Sequence, residues 1–382
     1  MNPIDQLLTR RVEKVLPSKE GLRKLLSQRK IRLYLGIDPT ATRLHLGHTV
    51  PLRKLQEFAS AGHEVILLFG TGTVLVGDPS LRAQARKPIT QAEIDRNIST
   101  WKDQVKPILD LDKITIKQNG DWLLPLTLKD IIHIASQVSA VQLFKRDMFQ
   151  RRLDKGDTVF MHETLYPLLQ GYDSVAMDVD LEIGGTDQEF NMLIGRELMH
   201  KMKAKDKFVL TTPMILGTDG QQMSKTSGNC VWLTDTPQDM FGKLMSIPDT
   251  QIKPYWELLT DLPTDQLTSN PLADKKRLAL SITQDFHGPS PAQAAQSLFE
   301  TTVQKGEAPQ NMPTFNLSQL PQNSTLIDLL EKSHLVSSRG EAKRLIDQDA
   351  VTVNQVKVTT PDTKFKPGDI IRAGKRRFIK LT

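Results

Sequence analysis

His45 and His48 stand three apart in the stretch YLGIDPTATRLHLGH, residues 34–48, directly after an apolar run. In the first turn of a helix that spacing puts both imidazoles on one face. A helix start also presents backbone N–H groups without intrahelical partners, together with partial positive charge. Two rings placed there can donate hydrogen bonds to phosphate oxygens. Thr40 adds a hydroxyl donor, and Gly47 removes a side chain from the path of an approaching nucleotide. Zinc would need a third and fourth ligand, and none is nearby in the sequence. Taken alone, the pair also reads as a surface or capping coincidence. A second polar stripe comes from Tyr166, Gln170 and Asp173, spaced i, i+4 and i+7, so that one helix face carries two hydrogen-bonding groups and a carboxylate. Such a stripe is costly inside a core unless a polar ligand or partner satisfies it. Taken alone, Asp173 also reads as a helix-end cap.

These residues need a scaffold, and the apolar pattern supplies one. Residues 31–37 (IRLYLGI) form a short apolar run entering a turn, which predicts a buried strand. Residues 44–61 show helical spacing with Gly62 as the stop, and 65–69 (VILLF) predict a second buried strand. Two buried strands joined by a helix make a parallel βαβ unit, hence a sheet covered on both faces. Ligands of such sheets sit beyond the carboxyl ends of the strands. Further strands are predicted at 113–118 and 177–183, with amphipathic helices near 94–109, 128–152 and 162–172. Residues 208–232 read as a loop-rich connection, 237–305 as mostly helical, and 306–323, with Pro309, Pro313 and Pro321, as a linker. Two short helices at 325–333 and 338–348 and several strand-like segments follow. GTGTVLVG at 70–77 misplaces the third glycine of a dinucleotide loop, and no GxxxxGK[ST] phosphate loop occurs.

Composition narrows the class. The chain has 382 residues, 38% hydrophobic and 25% charged, enough for two or three domains. Its single cysteine, Cys230, excludes an internal disulfide and a Cys-rich metal site. No stretch reaches the roughly 18 apolar residues of a membrane span, and the opening MNPIDQLLTRRVEKVL lacks the apolar segment of a signal peptide, so a cytoplasmic protein is expected. The net charge is +6, and residues 324–382 hold 12 Lys and Arg against 7 Asp and Glu. Such a concentration fits a nucleic-acid-binding segment as well as a solvated face.

His45-Leu46-Gly47-His48 resembles the "HIGH" signature of class I aminoacyl-tRNA synthetases, and Gln222-Met223-Ser224-Lys225-Thr226 resembles their "KMSKS" signature, about 175 residues further on. Across nearly the whole chain the remaining motifs resemble bacterial tyrosyl-tRNA synthetases: Tyr34 in YxGxDPT, Asp78 in VGDPS, the run from Tyr166 to Asp173, and GGTDQ ending at Gln188. The resemblance implies an α/β fold. A Rossmann-like parallel-sheet catalytic domain would cover 1–215, and the second-signature loop with an α-helical tRNA (anticodon)-binding domain would cover 216–305. A linker at 306–323 and a small α+β S4-like RNA-binding domain at 324–382 would follow. It also implies roles. Tyr34 and Asp173 would hold the phenol hydroxyl of tyrosine, Tyr166, Gln170 and Asp78 its ammonium, and Gln188 its carboxylate. Asp38, His45, Gly47, His48, Asp187, Met223 and Lys225 would contact ATP. Thr40, His45, His48, Lys225 and Thr226, with Arg82 and Arg86, would stabilise charge developing on pyrophosphate.

Mg2+ would arrive with ATP rather than on a protein site. The family's usual first lysine of the second signature is Gln222 here, which removes one cation. Residues 324–382 resemble an S4 domain, with Arg339, Lys343 and Arg344 as RNA contacts, and the clusters Lys145, Arg146, Arg151, Arg152 and Lys201, Lys203, Lys205, Lys207 could meet a tRNA acceptor arm or simply be solvated faces. ATP, L-tyrosine and tRNA(Tyr) are the implied partners of a homodimer. Three alternatives stand beside this reading: a tryptophanyl enzyme of the same fold, an RNA-binding protein with an inert synthetase scaffold, and a shorter nucleotidyltransferase sharing only the HxGH element.

Overall fold

Six strands form the sheet that carries the site: β1 (Lys14–Leu16), β2 (Arg32–Ile37), β3 (Glu64–Phe69), β4 (Ile114–Gln118), β5 (Leu181–Gly185) and β6 (Phe208–Thr212). Their order is β1-β6-β5-β2-β3-β4, parallel throughout except that β1 runs antiparallel to β6 at one edge. Five consecutive residues of β3 are buried, as a strand covered on both faces requires. The chain steps outward from β2 to β3 and β4 on one side, then returns to place β5 on the other. The order of strands therefore reverses between β2 and β5, which is where such sheets open a crevice. The computed structural model describes residues 2–79, 89–144, 147–224, 227–305, 307–309, 312–321, 323–374 and 377–382.

Two compact units divide the chain. The first comprises Met1–Thr236 and Lys243–Phe286, the second Pro237–Gly242 and His287–Thr382. Much of the segment expected as one helical domain at 216–305 thus packs with the sheet. The cause is local: the buried Arg11 guanidinium donates to the carbonyls of Leu258 at 2.8 Å and Thr260 at 2.6 Å and pairs with Asp261 at 2.7 Å, while Arg10 donates to the carbonyl of Glu257. These bonds cap the C-terminal carbonyls of the helix Ile252–Leu259 with charge of the favourable sign.

Several boundaries differ from the expectation. The helix expected at 128–152 is interrupted after Leu128–Ala135, and among the described residues helix resumes at Ala140–Phe144 and Asp147–Asp154. Ser136 bonds back to the carbonyl of His133 at 2.8 Å, the local competition by which serine interrupts a helix. The strand expected at 177–183 begins only at Leu181, because the helix Met161–Met177 runs to Met177 and closes on Asp178 in the left-handed conformation. Residues 208–212, read as loop, are the interior strand β6, between β1 and β5.

In the second unit a five-stranded sheet is ordered β7-β11-β10-β8-β9, with β7 (Thr314–Phe315), β8 (Val351–Val353), β9 (Val356–Lys357), β10 (Ile370–Ala373) and β11 (Arg377–Leu381). The helices Leu326–Lys332 and Arg339–Asp347 pack Leu326, Leu329, Leu330, Leu345 and Ile346 with Ile371 and Ile379 in one core. β7 lies within the stretch expected as a linker and pairs in parallel with β11. Among the described residues no helix is long and apolar enough to cross a membrane.

Candidate active site

A cavity of about 230 Å³ opens at the carboxyl ends of β2 and β5. Tyr34, Asp38, Thr40, His48, Asp78, Tyr166, Gln170, Asp173 and Gln188 all line it, although they come from five separate stretches of sequence. His45, Gly47, Asp187 and Met223 are not lining residues. Lys225, Thr226, Arg82 and Arg86 lie outside the described residues, as do Lys145 and Arg146.

Asp173 sits on the inner face of the helix Met161–Met177, 2% exposed. Its two oxygens are each taken by a neutral donor: Asn119 Nδ2 at 3.0 Å and Trp122 Nε1 at 2.9 Å. Burial pushes this carboxyl well above the usual aspartate range, and the two donors only partly offset it. Asp173 is thus a pocket acceptor, and the cap reading fails: it stands inside the helix rather than at its end. Asn119 and Trp122 were missed from the sequence. Their signal was position, since Asn119 directly follows β4 at a carboxyl end.

Around Asp38 the packing is equally tight. Thr73 Oγ1 donates to one carboxylate oxygen at 2.8 Å and the Tyr166 hydroxyl to the other at 2.9 Å. A Cβ at Gly70 would lie 2.0 Å from Asp38 Oδ1, so the GTG segment that superficially suggests a nucleotide loop exists to admit this carboxylate. Gln188 Nε2 donates to Asp78 at 2.8 Å and to its neighbour Asp187 at 2.9 Å, while Asn191 donates to Gln188 Oε1 at 3.0 Å. The amide of Gln188 is thereby fixed in one orientation, nitrogen toward the carboxylates. Gln170 is held in the same manner: its Nε2 donates to buried Glu182 at 3.0 Å, and its Oε1 is buried with no hydrogen-bond partner among the described residues.

The two histidines do more locally than their spacing suggests. His45 is the N-cap of the helix Leu46–Ser60; its Nδ1 accepts from the Gly47 N–H at 3.2 Å, and His48 Nδ1 accepts from the His45 N–H at 3.2 Å. The rings stand 3.9 Å apart. With both Nδ1 atoms accepting, each neutral ring carries its proton on Nε2, the nitrogen that can donate to an oxyanion. A Cβ at Gly47 would approach the His45 ring to 3.0 Å, so the glycine also spares the first histidine a tight contact.

The second signature is drawn to the first by the chain that follows it. Leu46 N–H donates to the Val231 carbonyl and Leu233 N–H to the Leu44 carbonyl, each at 2.9 Å, and the His45 and Trp232 rings lie 6.0 Å apart. Buried Asn229 gathers the loop, accepting from Ser224 N–H at 2.9 Å and Ser227 Oγ at 2.7 Å and donating to the Gln222 carbonyl at 3.0 Å. Gln222 itself is exposed.

The basic clusters change meaning. Lys207 is fully buried and ion-paired with Glu182, and Arg152 is buried against Glu163. Lys201 pairs with Glu197, and Lys205 with Asp178 and Asp180. Lys207 and Arg152 are thus buried structural pairs, whereas Arg151 and Lys203 are exposed. In the second unit Arg339 pairs with Asp328, whereas Lys343 and Arg344 are exposed.

A parallel sheet reversing at β2, with a cavity there and the first signature on the helix that follows β2, is the arrangement of a class I aminoacyl-tRNA synthetase. The family "tRNA synthetases class I (W and Y)" matches residues 26–308, and the S4 domain matches 325–371. The tyrosine–tRNA ligase of Dehalococcoides mccartyi (strain CBDB1) is 40% identical, covering 99% of this chain and 98% of that one. That of Thermotoga maritima is 39% identical over 100% of this chain and 98% of its own. Solved structures share the fold. A truncated mitochondrial tyrosyl-tRNA synthetase of Coccidioides posadasii has a TM-score of 0.65 at 22% identity, covering 77% of this chain and 91% of that one. The Archaeoglobus fulgidus enzyme complexed with L-tyrosine has a TM-score of 0.59 at 22% identity, covering 77% and 98%. The chain belongs to the tyrosyl-tRNA synthetases of class I.

Proposed function

We propose that the cavity beyond β2 and β5 is where this tyrosine–tRNA ligase activates its amino acid, with the following division of labour. Tyr34 and Asp173 take the phenol hydroxyl. Tyr166, Gln170 and Asp78 take the ammonium, and Gln188 orients the carboxylate. Asp38, Gly47, Asp187 and Met223 serve the nucleotide. One oxygen of the tyrosine carboxylate attacks the α-phosphorus of ATP, a new carboxyl–phosphate bond forms, and pyrophosphate leaves. The nucleophile is already ionised at neutral pH, so catalysis rests on positioning and on stabilising charge on the leaving group. Thr40 and the Nε2 protons of His45 and His48 supply donors from the first signature. Lys225 and Thr226 act from the second, with Arg82 and Arg86 as added cations and magnesium entering as part of the ATP substrate. A ribose hydroxyl at the 3′ end of tRNA(Tyr), which Lys343, Arg344 and Arg339 help to hold, then attacks the tyrosyl carbonyl; the carboxyl–phosphate bond breaks, AMP leaves and the ester forms. We place the enzyme in the cytoplasm as a homodimer.

The observation that carries this reading is Asp173, buried and locked as an acceptor by Asn119 and Trp122, within the same cavity as Tyr34. An indole offers only a donor, whereas a phenol oxygen both donates and accepts, so a hydroxyl beside a carboxylate suits tyrosine. ATP–pyrophosphate exchange supported by tyrosine, and neither by phenylalanine nor by tryptophan, is the expected result. Exchange with tryptophan would overturn the pocket assignment.

A further inference from the structure

Beneath Tyr34 lies a buried polar chain that no direct contact with tyrosine requires. Lys207, Glu182, Ser174 and Tyr34 are each no more than 2% exposed. Lys207 Nζ pairs with Glu182 Oε2 and donates to Ser174 Oγ at 2.8 Å, and Ser174 Oγ is 3.0 Å from the Tyr34 hydroxyl. An ion pair at this depth costs desolvation that a pair of apolar side chains would avoid. The arrangement calls for a use, and hydrogen-bond bookkeeping supplies one.

An ammonium has donors only. Ser174 Oγ therefore accepts from Lys207, and the serine's single proton must go elsewhere. Its neighbours are the Tyr34 oxygen at 3.0 Å and Glu182 Oε2 at 3.5 Å, and that carboxylate oxygen already accepts from Lys207. The shorter contact takes the proton. Tyr34 then accepts from Ser174 and must send its own proton away from it. Glu182 also faces this hydroxyl, but its Oε1 already accepts from Gln170 Nε2 and its Oε2 from Lys207, which leaves the Gln170 carbonyl, at 3.5 Å and at the limit of a hydrogen bond.

We infer that Lys207 and Ser174 are positioning residues that fix the direction of the Tyr34 O–H, so that Tyr34 donates into the cavity while Asp173 accepts from it. One phenol oxygen matches that couple with both of its functions: it accepts from Tyr34 and donates to Asp173. This inference rests on the reading that these two residues hold the tyrosine hydroxyl. Without the relay, Tyr34 can turn its proton to a different acceptor, and the couple loses the polarity that distinguishes tyrosine from phenylalanine.

The test is a double-mutant cycle in ATP–pyrophosphate exchange with Ser174→Ala, Tyr34→Phe and the double variant, recording kcat/KM for tyrosine and for phenylalanine. Ser174→Ala is expected to lower the tyrosine-to-phenylalanine preference about three- to tenfold, the range of one neutral hydrogen bond. Phenylalanine's own kcat/KM should stay unchanged. In the Tyr34→Phe background the serine change should do nothing further to the preference. Ser174→Cys keeps the volume with a weak donor and should reproduce the loss, which covers the case of a poorly folded alanine variant. If Ser174→Ala depresses both amino acids equally, or its effect persists without the Tyr34 hydroxyl, the relay is wrong. If Tyr34→Phe itself leaves the preference intact, the pocket reading beneath it fails instead.

Discussion

Asp173 in the catalytic unit and Asp328 in the second unit each accept more than one hydrogen bond, and their surroundings drive them in opposite directions. Asp173 is buried and served by uncharged donors, and burial raises its pKa well above the usual range. Asp328 lies near water, where Thr325 and then Arg339 bring it from 3.8 down to about 2. Glu341, bonded to Ser337 and paired with Arg377, falls likewise from 4.5 to about 2. A recognition site gains from a carboxylate whose charge is incompletely compensated, because a substrate proton can complete it. A small RNA-binding scaffold gains from carboxylates already satisfied, since they hold its helix starts.

Four changes would sharpen or break that contrast, taken from the largest effect down. Lys207→Met removes the partner of buried Glu182 and should cost about 3–5 kcal/mol of stability, read as a lowered midpoint in urea; a loss below 1 kcal/mol would mean that water reaches the pair. Asp173→Ala strands the N–H groups of Asn119 and Trp122 and should reduce kcat/KM for tyrosine about a hundredfold, as expected for losing a charged acceptor. An effect on KM for ATP of the same size would contradict a role at the amino acid.

The pH dependences should diverge as well. Asp173 accepts from a phenol most strongly when ionised, and its pKa is raised, so KM for tyrosine should climb on acidification at a pH where an exposed aspartate would still be charged. Asp328 and Glu341 have depressed values, so their stabilisation is present above the ordinary carboxylate range and is lost only as pH falls from about 4.5 towards 2. Amide exchange at Leu329 and Leu330 should accelerate in that window and not above it. Gln222→Lys is the smallest step, restoring an exposed cation beside the second signature. It should alter the rate of adenylate formation severalfold, by rapid quench, and complete inactivation would refute a tunable contact.

The sequence disclosed the residues with portable chemistry. The His45–His48 pair and the Tyr166–Gln170–Asp173 stripe follow from local spacing, which helix periods carry faithfully, whereas Gln188 entered only through the resemblance of GGTDQ. What it concealed were partnerships between distant segments. Asn119 meets Asp173 across 54 residues, and Lys207 meets Glu182 across 25. Lys207 read as one of four lysines on a basic surface because charge spacing contains no information on burial. Strand β6 was hidden for a related reason: FVLTT is short, and the glycines after it made the whole stretch look like loop.

The indole that donates to Asp173 also has an optical consequence. All four tryptophans, Trp101, Trp122, Trp232 and Trp256, belong to the first compact unit, so the second unit is silent in tryptophan emission. Trp122 has its Nε1–H on the carboxylate assigned to the substrate, and Trp232 stands 6.0 Å from a signature histidine. The enzyme thus has one intrinsic fluorophore bonded to a carboxylate of the cavity and another beside the first signature. Changes in its emission colour report events in that cleft without a label and without background from the RNA-binding end.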